Sequence, residues 1–267
     1  MAKQVEVVSL DGGAKSGKST IGNAIAKVVT PHRRVKVADA GAYYRRNTVG
    51  AFDFLGIDGS GEISEQDLDT ATAAVVKSGL AFNDDFEWGD LERPEVQKWV
   101  SRVGRRPLVQ QAAKGWFEVT VTQAEQDADV LIINARNPRL HMAQWLANGP
   151  LRVAVELYVD CEPEEAARRK LIKEGVFTPD QGMLDRETLE IYKRRYSDLT
   201  RPTDKFRLPE QTVDFDLGYD LAETVAASRH AAPDIAPLPI SFDTTYMPFE
   251  EMELAAQGLA LTALRLC

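Results

Sequence analysis

The residues best suited to chemistry lie near the start of the sequence, where positions 12–19 read Gly-Gly-Ala-Lys-Ser-Gly-Lys-Ser and Thr20 follows. The spacing satisfies Gly-x-x-x-x-Gly-Lys-Ser/Thr, the pattern of phosphate-binding loops. Glycines let consecutive N–H groups turn towards phosphate oxygens, and a following helix N-terminus adds partial positive charge. Lys18 would bridge the β- and γ-phosphates of ATP, and the Ser19 hydroxyl would bind Mg²⁺. The predicted ATP-binding loop comprises Gly12, Gly13, Ala14, Lys15, Ser16, Gly17, Lys18, Ser19 and Thr20.

A glycine-rich turn without a ligand is the alternative, but the match falls between an apolar strand pattern and a helical one, where phosphate-binding loops occur. Such loops serve motors, GTPases, helicases and kinases, so later segments must separate these classes. Three of them carry arginines: DAGAYYR at 39–45, NARNP at 134–138 and YKRRYSDLTR at 192–201. A phosphorylatable acceptor is itself an anion that attacks another anion. Arginines must therefore neutralise both and hold them in line.

These segments resemble the cytidylate kinase family. SLDGGAKSGKST and DAGAYYR stand where that family has IDGxxGSGKST and D(S/T)GAxYR, and the PEV, SRV and PLV triplets that begin at 94, 101 and 107 continue the match. NARNP is similar to the family's DGRDIG, VELYVDCEPEEAARRK to IFLDASPEERARRR, and YKRRYSDLTR to ERDxRDxxR. The resemblance covers about residues 4–228. It implies a nucleoside monophosphate kinase that uses ATP with Mg²⁺ and a pyrimidine nucleotide.

The resemblance also implies residue roles. Lys18, Arg136 and Arg194 would be catalytic, and Arg45 would join the two arginines around the acceptor phosphate and the transferring group. Asp198 and Arg201 would contact the sugar and the neighbouring base edge, Ser101 the base, and Arg168 ATP. The implied acceptor-binding set is Asp39, Arg45, Ser101, Gln110, Arg136, Asn137, Arg194, Asp198 and Arg201. We expect the guanidinium groups of Arg45, Arg136 and Arg194 to converge opposite the loop.

Three positions depart from the family pattern. Asn134 and Asn137 replace its aspartates, and Gln110 replaces its base-reading arginine. An amide can both donate and accept, so selection for cytosine is weakened and uracil, thymine or a modified pyrimidine becomes plausible. Asn134 also removes a carboxylate that would organise the water around magnesium, which leaves Ser19, Asp11 and Asp39 as candidates and predicts slower catalysis.

The elements that must position these residues alternate along the chain. Strand patterns occupy 4–10, 34–38, 129–134, 152–159 and 212–217. Helical patterns lie between them: Ser64 caps one that Gly79 ends, and Pro94, Pro107 and Pro163 open others. This alternation predicts an α/β protein with the three-layer P-loop NTPase fold, in which a five-stranded parallel sheet has helices on both faces.

We expect the kinase core to occupy residues 1–55 and 93–230, with a mobile lid at about 174–200. A reduced acceptor-binding insertion would span 56–92, which is rich in Asp, Glu and Gly. Residues 231–247 contain three prolines and read as a linker, and 231–267 form a C-terminal linker and amphipathic helix. That helix would dock onto its own domain. A dimer contact is the alternative to the monomer we otherwise expect.

The composition limits the expected binding partners and the expected compartment of the protein. The net charge of −9 argues against nonspecific nucleic-acid or anionic-membrane binding. No run of eighteen apolar residues or leader pattern occurs, and two cysteines do not make a disulfide framework, so a cytoplasmic protein is predicted. Two other functions stay open: a P-loop kinase for another small acceptor, and a noncatalytic sensor that binds ATP.

Overall fold

The computed structural model describes residues 4–13, 15–82, 88–199, 213–215, 220–230, 237 and 239–266. Its strands are β1 Val5–Gly12, β2 Val35–Asp39, β3 Val130–Asn134, β4 Leu151–Asp160, β5 Val213–Asp214 and β6 Ile240–Asp243. The sheet order is β2-β3-β1-β4-β6-β5, and β1 pairs in parallel with both β3 and β4. β1 and β3 are buried along their whole length, so the sheet is covered on both faces.

The prediction of five strands was wrong, because the sheet of the described residues has six. The additional strand is β6, which pairs in parallel with β4 and β5 and lies inside the stretch we had interpreted as a linker. Its four residues, Ile-Ser-Phe-Asp, follow a proline-rich segment. A strand this short offers too few positions for its periodicity to be recognised.

Capping residues, prolines and glycines mark the ends of several helices. Their bounds are α1 Lys18–Val29, α2 Ala40–Leu55, α3 Glu65–Ser78, α4 Trp88–Leu91, α5 Pro94–Gly104, α6 Pro107–Asp127, α7 Pro138–Asn148, α8 Pro163–Lys173, α9 Gln181–Leu199, α10 Leu221–His230 and α11 Phe249–Leu264. Ser64 Oγ accepts from the Asp67 N–H, and α3 ends at Gly79 in the left-handed region, which confirms the predicted cap and stop. α5, α6 and α8 begin at the predicted prolines. None of the described helices is long and apolar enough to cross a membrane.

Contacts divide the chain into two compact units. The first comprises residues 1–38 and 124–267, and the second comprises 39–123. In the first, one apolar core joins the sheet to α1 and α11, and it includes Ile21, Ile25, Ala256, Leu259 and Ala260. α11 therefore forms part of this core.

The second unit contains α2 to α5 and most of α6. Its largest fully buried side chains include Trp99, Tyr43 and Phe52. The Trp99 indole N–H donates to the backbone oxygen of Gly59 at 3.0 Å, and the ring of Tyr43 contacts that of Trp116. The predicted insertion at 56–92 lies within this unit. The predicted division into core, insertion and lid stays a prediction.

Candidate active site

The loop between β1 and α1 turns on two glycines with positive φ, 128° at Gly12 and 98° at Gly17. A β-carbon on Gly12 would lie 1.9 Å from the backbone oxygen of Val159, its neighbour on β4. Only glycine allows two backbones to approach this closely. Gly17 is the N-cap of α1, and the first turn of that helix carries no acidic residue. The positive end of the helix dipole is therefore suited to an anion.

Lys18 lies against the same loop. Its ammonium group donates to the backbone oxygens of Gly12 at 3.0 Å and of Gly13, and to Ser16 Oγ at 3.4 Å. The buried Ser16 hydroxyl donates to the Gly13 oxygen at 3.0 Å. The side chain of Lys18 is thus held by carbonyl and hydroxyl oxygens, which phosphate oxygens could replace as acceptors. Lys15 is half-buried with φ 62°, and Ala14 lies outside the described residues.

Ser19, the predicted magnesium ligand, contacts the end of β3. Asn134 Nδ2 donates to Ser19 Oγ at 2.9 Å, and Asn134 is buried. In the described part of the chain, no cluster of three or more His, Cys, Asp or Glu could hold a metal ion by itself. Mg²⁺ that accompanies a nucleotide needs few protein ligands, because phosphates and water supply the remaining oxygens. The residues present therefore fit such an ion, and Ser19 as its protein ligand stays a prediction.

Asp11 and Asp39, the two other candidates for the magnesium site, act as hydrogen-bond acceptors for backbone N–H groups. Asp11 Oδ1 accepts from the Gly12 N–H at 2.6 Å and Oδ2 from the Asn137 N–H at 3.0 Å. Burial raises the pKa of Asp11, and those hydrogen bonds and the charges of Lys18 and Arg136 oppose the shift. Asp39 caps α2 by accepting from the Gly41 N–H.

A second buried carboxylate lies on β4 of the same unit. Glu156 is buried, which raises its pKa to about 6, while Arg139 at 2.7 Å favours its ionised form. The charge of Asp11 also raises the pKa of Glu156, so the two carboxylates repel each other when both are ionised. Arg136, predicted to be catalytic, is half-buried and close enough to favour the ionised form of Asp11. It belongs to the same charged group at the carboxyl ends of β1 and β3.

Sequence reasoning missed Arg195. A β-carbon on Gly13 would lie 2.9 Å from Arg195 Nη2, so this guanidinium packs on the phosphate-loop glycine. It also donates to the Cys161 backbone oxygen and lies 3.3 Å from Asp160 Oδ1. The family pattern indicates the preceding residue, Arg194, which is half-buried on α9. Both arginines stand in the string KRR, so the signal was present but could not tell them apart.

The predicted lid at about 174–200 includes α9, which shares with α8 a small apolar core that includes Ala167, Leu171 and Leu184. Arg168, predicted to contact ATP, pairs with Glu164 and Glu165 on its own helix at 3.4 and 3.5 Å. The mobility of the lid and the contact of Arg168 with ATP stay predictions. The side chain of Asp198 and the whole of Arg201 lie outside what the structure describes.

In the second unit, Arg45 lies 3.5 Å from Asp39 Oδ2 and 4.0 Å from Glu92 Oε1. Gln110 Nε2 donates to the Gly104 oxygen at 3.2 Å. Ser101 is half-buried on α5. This unit therefore contains four of the residues predicted to bind the acceptor.

The first unit brings together the phosphate loop, Asn134, Arg136 and Asn137. Asn137 has φ 46°, and its side chain caps α7 by accepting from the Leu140 N–H at 3.4 Å. The predicted convergence of Arg45 with Arg136 and Arg194 joins residues of both units, and it stays a prediction.

A parallel sheet whose first strand runs through a Gly-x-x-x-x-Gly-Lys-Ser loop into a helix defines a P-loop nucleotide-binding protein. Within that class, the family model described as cytidylate kinase matches residues 8–228, and the chain belongs to this family. Its membership supports a nucleoside monophosphate kinase. No curated protein matches the chain.

One solved structure that resembles the chain is a protein from Chloroflexus aurantiacus J-10-fl, provisionally described as a kinase. The two are 13% identical, and the match covers 95% of this chain and 94% of that one with a TM-score of 0.40. A likeness this distant decides nothing about activity.

Proposed function

We propose that the protein transfers the γ-phosphoryl group of ATP to a pyrimidine nucleoside or deoxynucleoside monophosphate. The observation that supports this most directly is the phosphate loop, where Lys18 and the Ser19–Asn134 pair stand at the start of α1 within the family match. Bound Mg²⁺ would neutralise phosphate charge during transfer. The acceptor phosphate oxygen is already a nucleophile, so no general base is required once the two substrates are aligned and shielded from water.

Five positively charged residues have a proposed role in phosphoryl transfer. Lys18 would exchange its carbonyl partners for β- and γ-phosphate oxygens, and Arg195 would add charge beside Gly13. Arg45, Arg136 and Arg194 would bind the acceptor phosphate and the transferring group, as the family pattern implies. Charge-assisted hydrogen bonds of this kind stabilise the charge that is spread over the transferring group.

The base would be read by amides. Because Gln110 Nε2 donates to the Gly104 oxygen, its side-chain oxygen is the group best suited to accept from a base. Asn137 uses its side-chain oxygen to cap α7, so its NH₂ group is the one suited to donate. Neither residue alone selects the amino group of cytosine over the N3–H of uracil or thymine. We therefore propose a broader pyrimidine range.

The test is ADP release measured with CMP, dCMP, UMP and dTMP as acceptors. Turnover with several of these supports the proposal, and strict preference for the cytosine nucleotides would contradict the broader range. Turnover only with an acceptor that is not a nucleotide would identify another small-molecule kinase. ATP binding without turnover on any acceptor would indicate a sensor.

Replacing Asn134 by aspartate is expected to lower the magnesium concentration that gives half-maximal ATP turnover by about fivefold, because the new carboxylate adds negative charge beside the Ser19 hydroxyl. Magnesium titration of the steady-state rate measures this. Gln126→Glu on α6 is the control, since it makes the same change of charge at an exposed position. An unchanged magnesium requirement in Asn134→Asp would contradict the proposed place of the ion.

We further propose a cytoplasmic monomer. Cys161 is a buried free cysteine, and burial raises the pKa of its thiol, which keeps it protonated and unreactive at neutral pH. Sedimentation of the purified chain tests the monomeric state.

A further inference from the structure

A threonine outside the family match contacts the phosphate loop. Thr244 follows β6, is fully buried, and lies beyond residues 8–228. Its hydroxyl oxygen is 3.2 Å from the Ser16 backbone oxygen and 2.9 Å from that of Asp160. Arg169 Nη1 donates to the same hydroxyl at 3.1 Å. One side chain therefore joins the phosphate loop, the end of β4 and helix α8.

The hydrogen-bond chemistry fixes the direction of these contacts. A guanidinium only donates, so the Thr244 hydroxyl accepts from Arg169 and keeps its own proton for a carbonyl. The Asp160 oxygen already accepts from the Thr244 backbone N–H at 2.9 Å. A carbonyl oxygen has two lone pairs, so the single hydroxyl proton can go to the Asp160 oxygen at 2.9 Å or to the Ser16 oxygen at 3.2 Å, and the contact with Ser16 is the one that reaches the phosphate loop.

That contact acts on a peptide group of the phosphate loop. In a planar trans peptide the C=O and the next N–H point in opposite directions. A Ser16 carbonyl held towards Thr244 thus turns the Gly17 N–H away from Thr244. Consecutive N–H groups of a phosphate loop are its phosphate ligands, so the orientation of this peptide bears on ATP binding.

Helix α11 supports the loop independently. A β-carbon on Gly17 would lie 3.5 Å from Met252 Sδ, so the first turns of α11 contact the loop glycine. Gln257 Nε2 donates to the Ala24 oxygen on α1 at 3.2 Å. The segment from β6 to α11 therefore contacts both the loop and the helix that follows it.

We propose that Thr244 is a positioning residue of the ATP site, through which the C-terminal segment holds the Ser16–Gly17 peptide in its phosphate-binding orientation. This inference rests on the proposed function, because it requires that the loop binds ATP. It assigns a role in nucleotide binding to a segment that the family match does not include.

The test compares Thr244→Val, which removes the hydroxyl at nearly constant shape, with Thr244→Ser, which keeps it. We expect Thr244→Val to raise both the Kd and the KM for ATP about tenfold, because the loop loses a buried hydrogen bond. The KM for the nucleotide acceptor should change less than twofold, and Thr244→Ser should restore ATP affinity. ATP binding is measured by calorimetry on the full chain without acceptor, and KM and kcat by ADP release.

Thr245→Val is the matched control. The Thr245 hydroxyl is also buried, but it accepts from the Glu162 N–H and donates to Asp243 Oδ1. It should leave the Kd for ATP unchanged even where it lowers the melting temperature. If Thr244→Val and Thr245→Val weaken ATP binding equally, the effect is general destabilisation and the proposal is overturned.

Different results overturn the role of Thr244 and the proposed function. An unchanged Kd in Thr244→Val, with a wild-type chain that binds ATP, overturns only the role of Thr244. A wild-type chain that does not bind ATP overturns the proposed function as well. If Thr244→Val and Thr244→Ser have equal melting temperatures, higher ATP affinity in Thr244→Ser cannot come from stability and supports the positioning role.

Discussion

Lys18→Ala should lower kcat about a thousandfold, because the charge removed lies against the loop that would cradle the phosphates. Lys18 Nζ lies 3.0 Å from the Gly12 oxygen and also contacts the Gly13 oxygen. In this position the ammonium group can follow negative charge as it moves from the γ-phosphoryl group to the leaving ADP. ADP release at saturating ATP and acceptor measures the effect.

Lys27→Ala is the control for this change, since Lys27 is an exposed lysine in the last turn of the same helix. Its kcat should stay within twofold of the wild-type value. Both variants should keep the wild-type melting temperature. A Lys18→Ala enzyme that retains a tenth or more of the wild-type kcat would contradict the catalytic role.

Gly12→Ala should destabilise the fold by at least about 3 kcal/mol, or prevent its formation. The new methyl group would lie 1.9 Å from the Val159 backbone oxygen, and the residue would have to keep a φ of 128°. The obstacle is backbone of β4 at the carboxyl ends of the two paired strands, so no side-chain movement can relieve it. Urea denaturation followed by circular dichroism measures the free energy of unfolding.

Gly149→Ala separates the cost of a positive φ from the cost of the overlap with the β4 backbone. Gly149 also has a positive φ, 97°, but a β-carbon there would meet no atom within 4 Å. We expect it to cost about 1 kcal/mol, the ordinary penalty of a left-handed conformation. Equal losses in the two variants would refute the backbone overlap at Gly12.

Local patterns were predictable from the sequence because their causes are local. The glycine spacing of the phosphate loop, the cap at Ser64 and the prolines at helix starts depend on residues a few positions apart. β6 was missed because four residues carry almost no periodicity, and its place in the sheet depends on its pairing with β4 and β5.

The choice between Arg194 and Arg195 shows where sequence reasoning stops. Successive residues on a helix point in directions about 100° apart, so only one of the two can face a given neighbour. Which one does so depends on how α9 packs, and here Arg195 lies on Gly13. Thr244 gave no signal at all, since a single threonine after a short strand matches no motif.

The packing of α11 against α1 bears on how the chain matures during synthesis. α1 is made early, yet α11 supplies part of its apolar cover, and the contact from Gln257 to Ala24 spans 233 residues. At ordinary rates of translation, the ribosome needs roughly 10 to 50 s to add that many residues. Throughout that interval Ile21 and Ile25 lack the cover that α11 provides, so this part of the apolar core is complete only after residues 249–264 have been made.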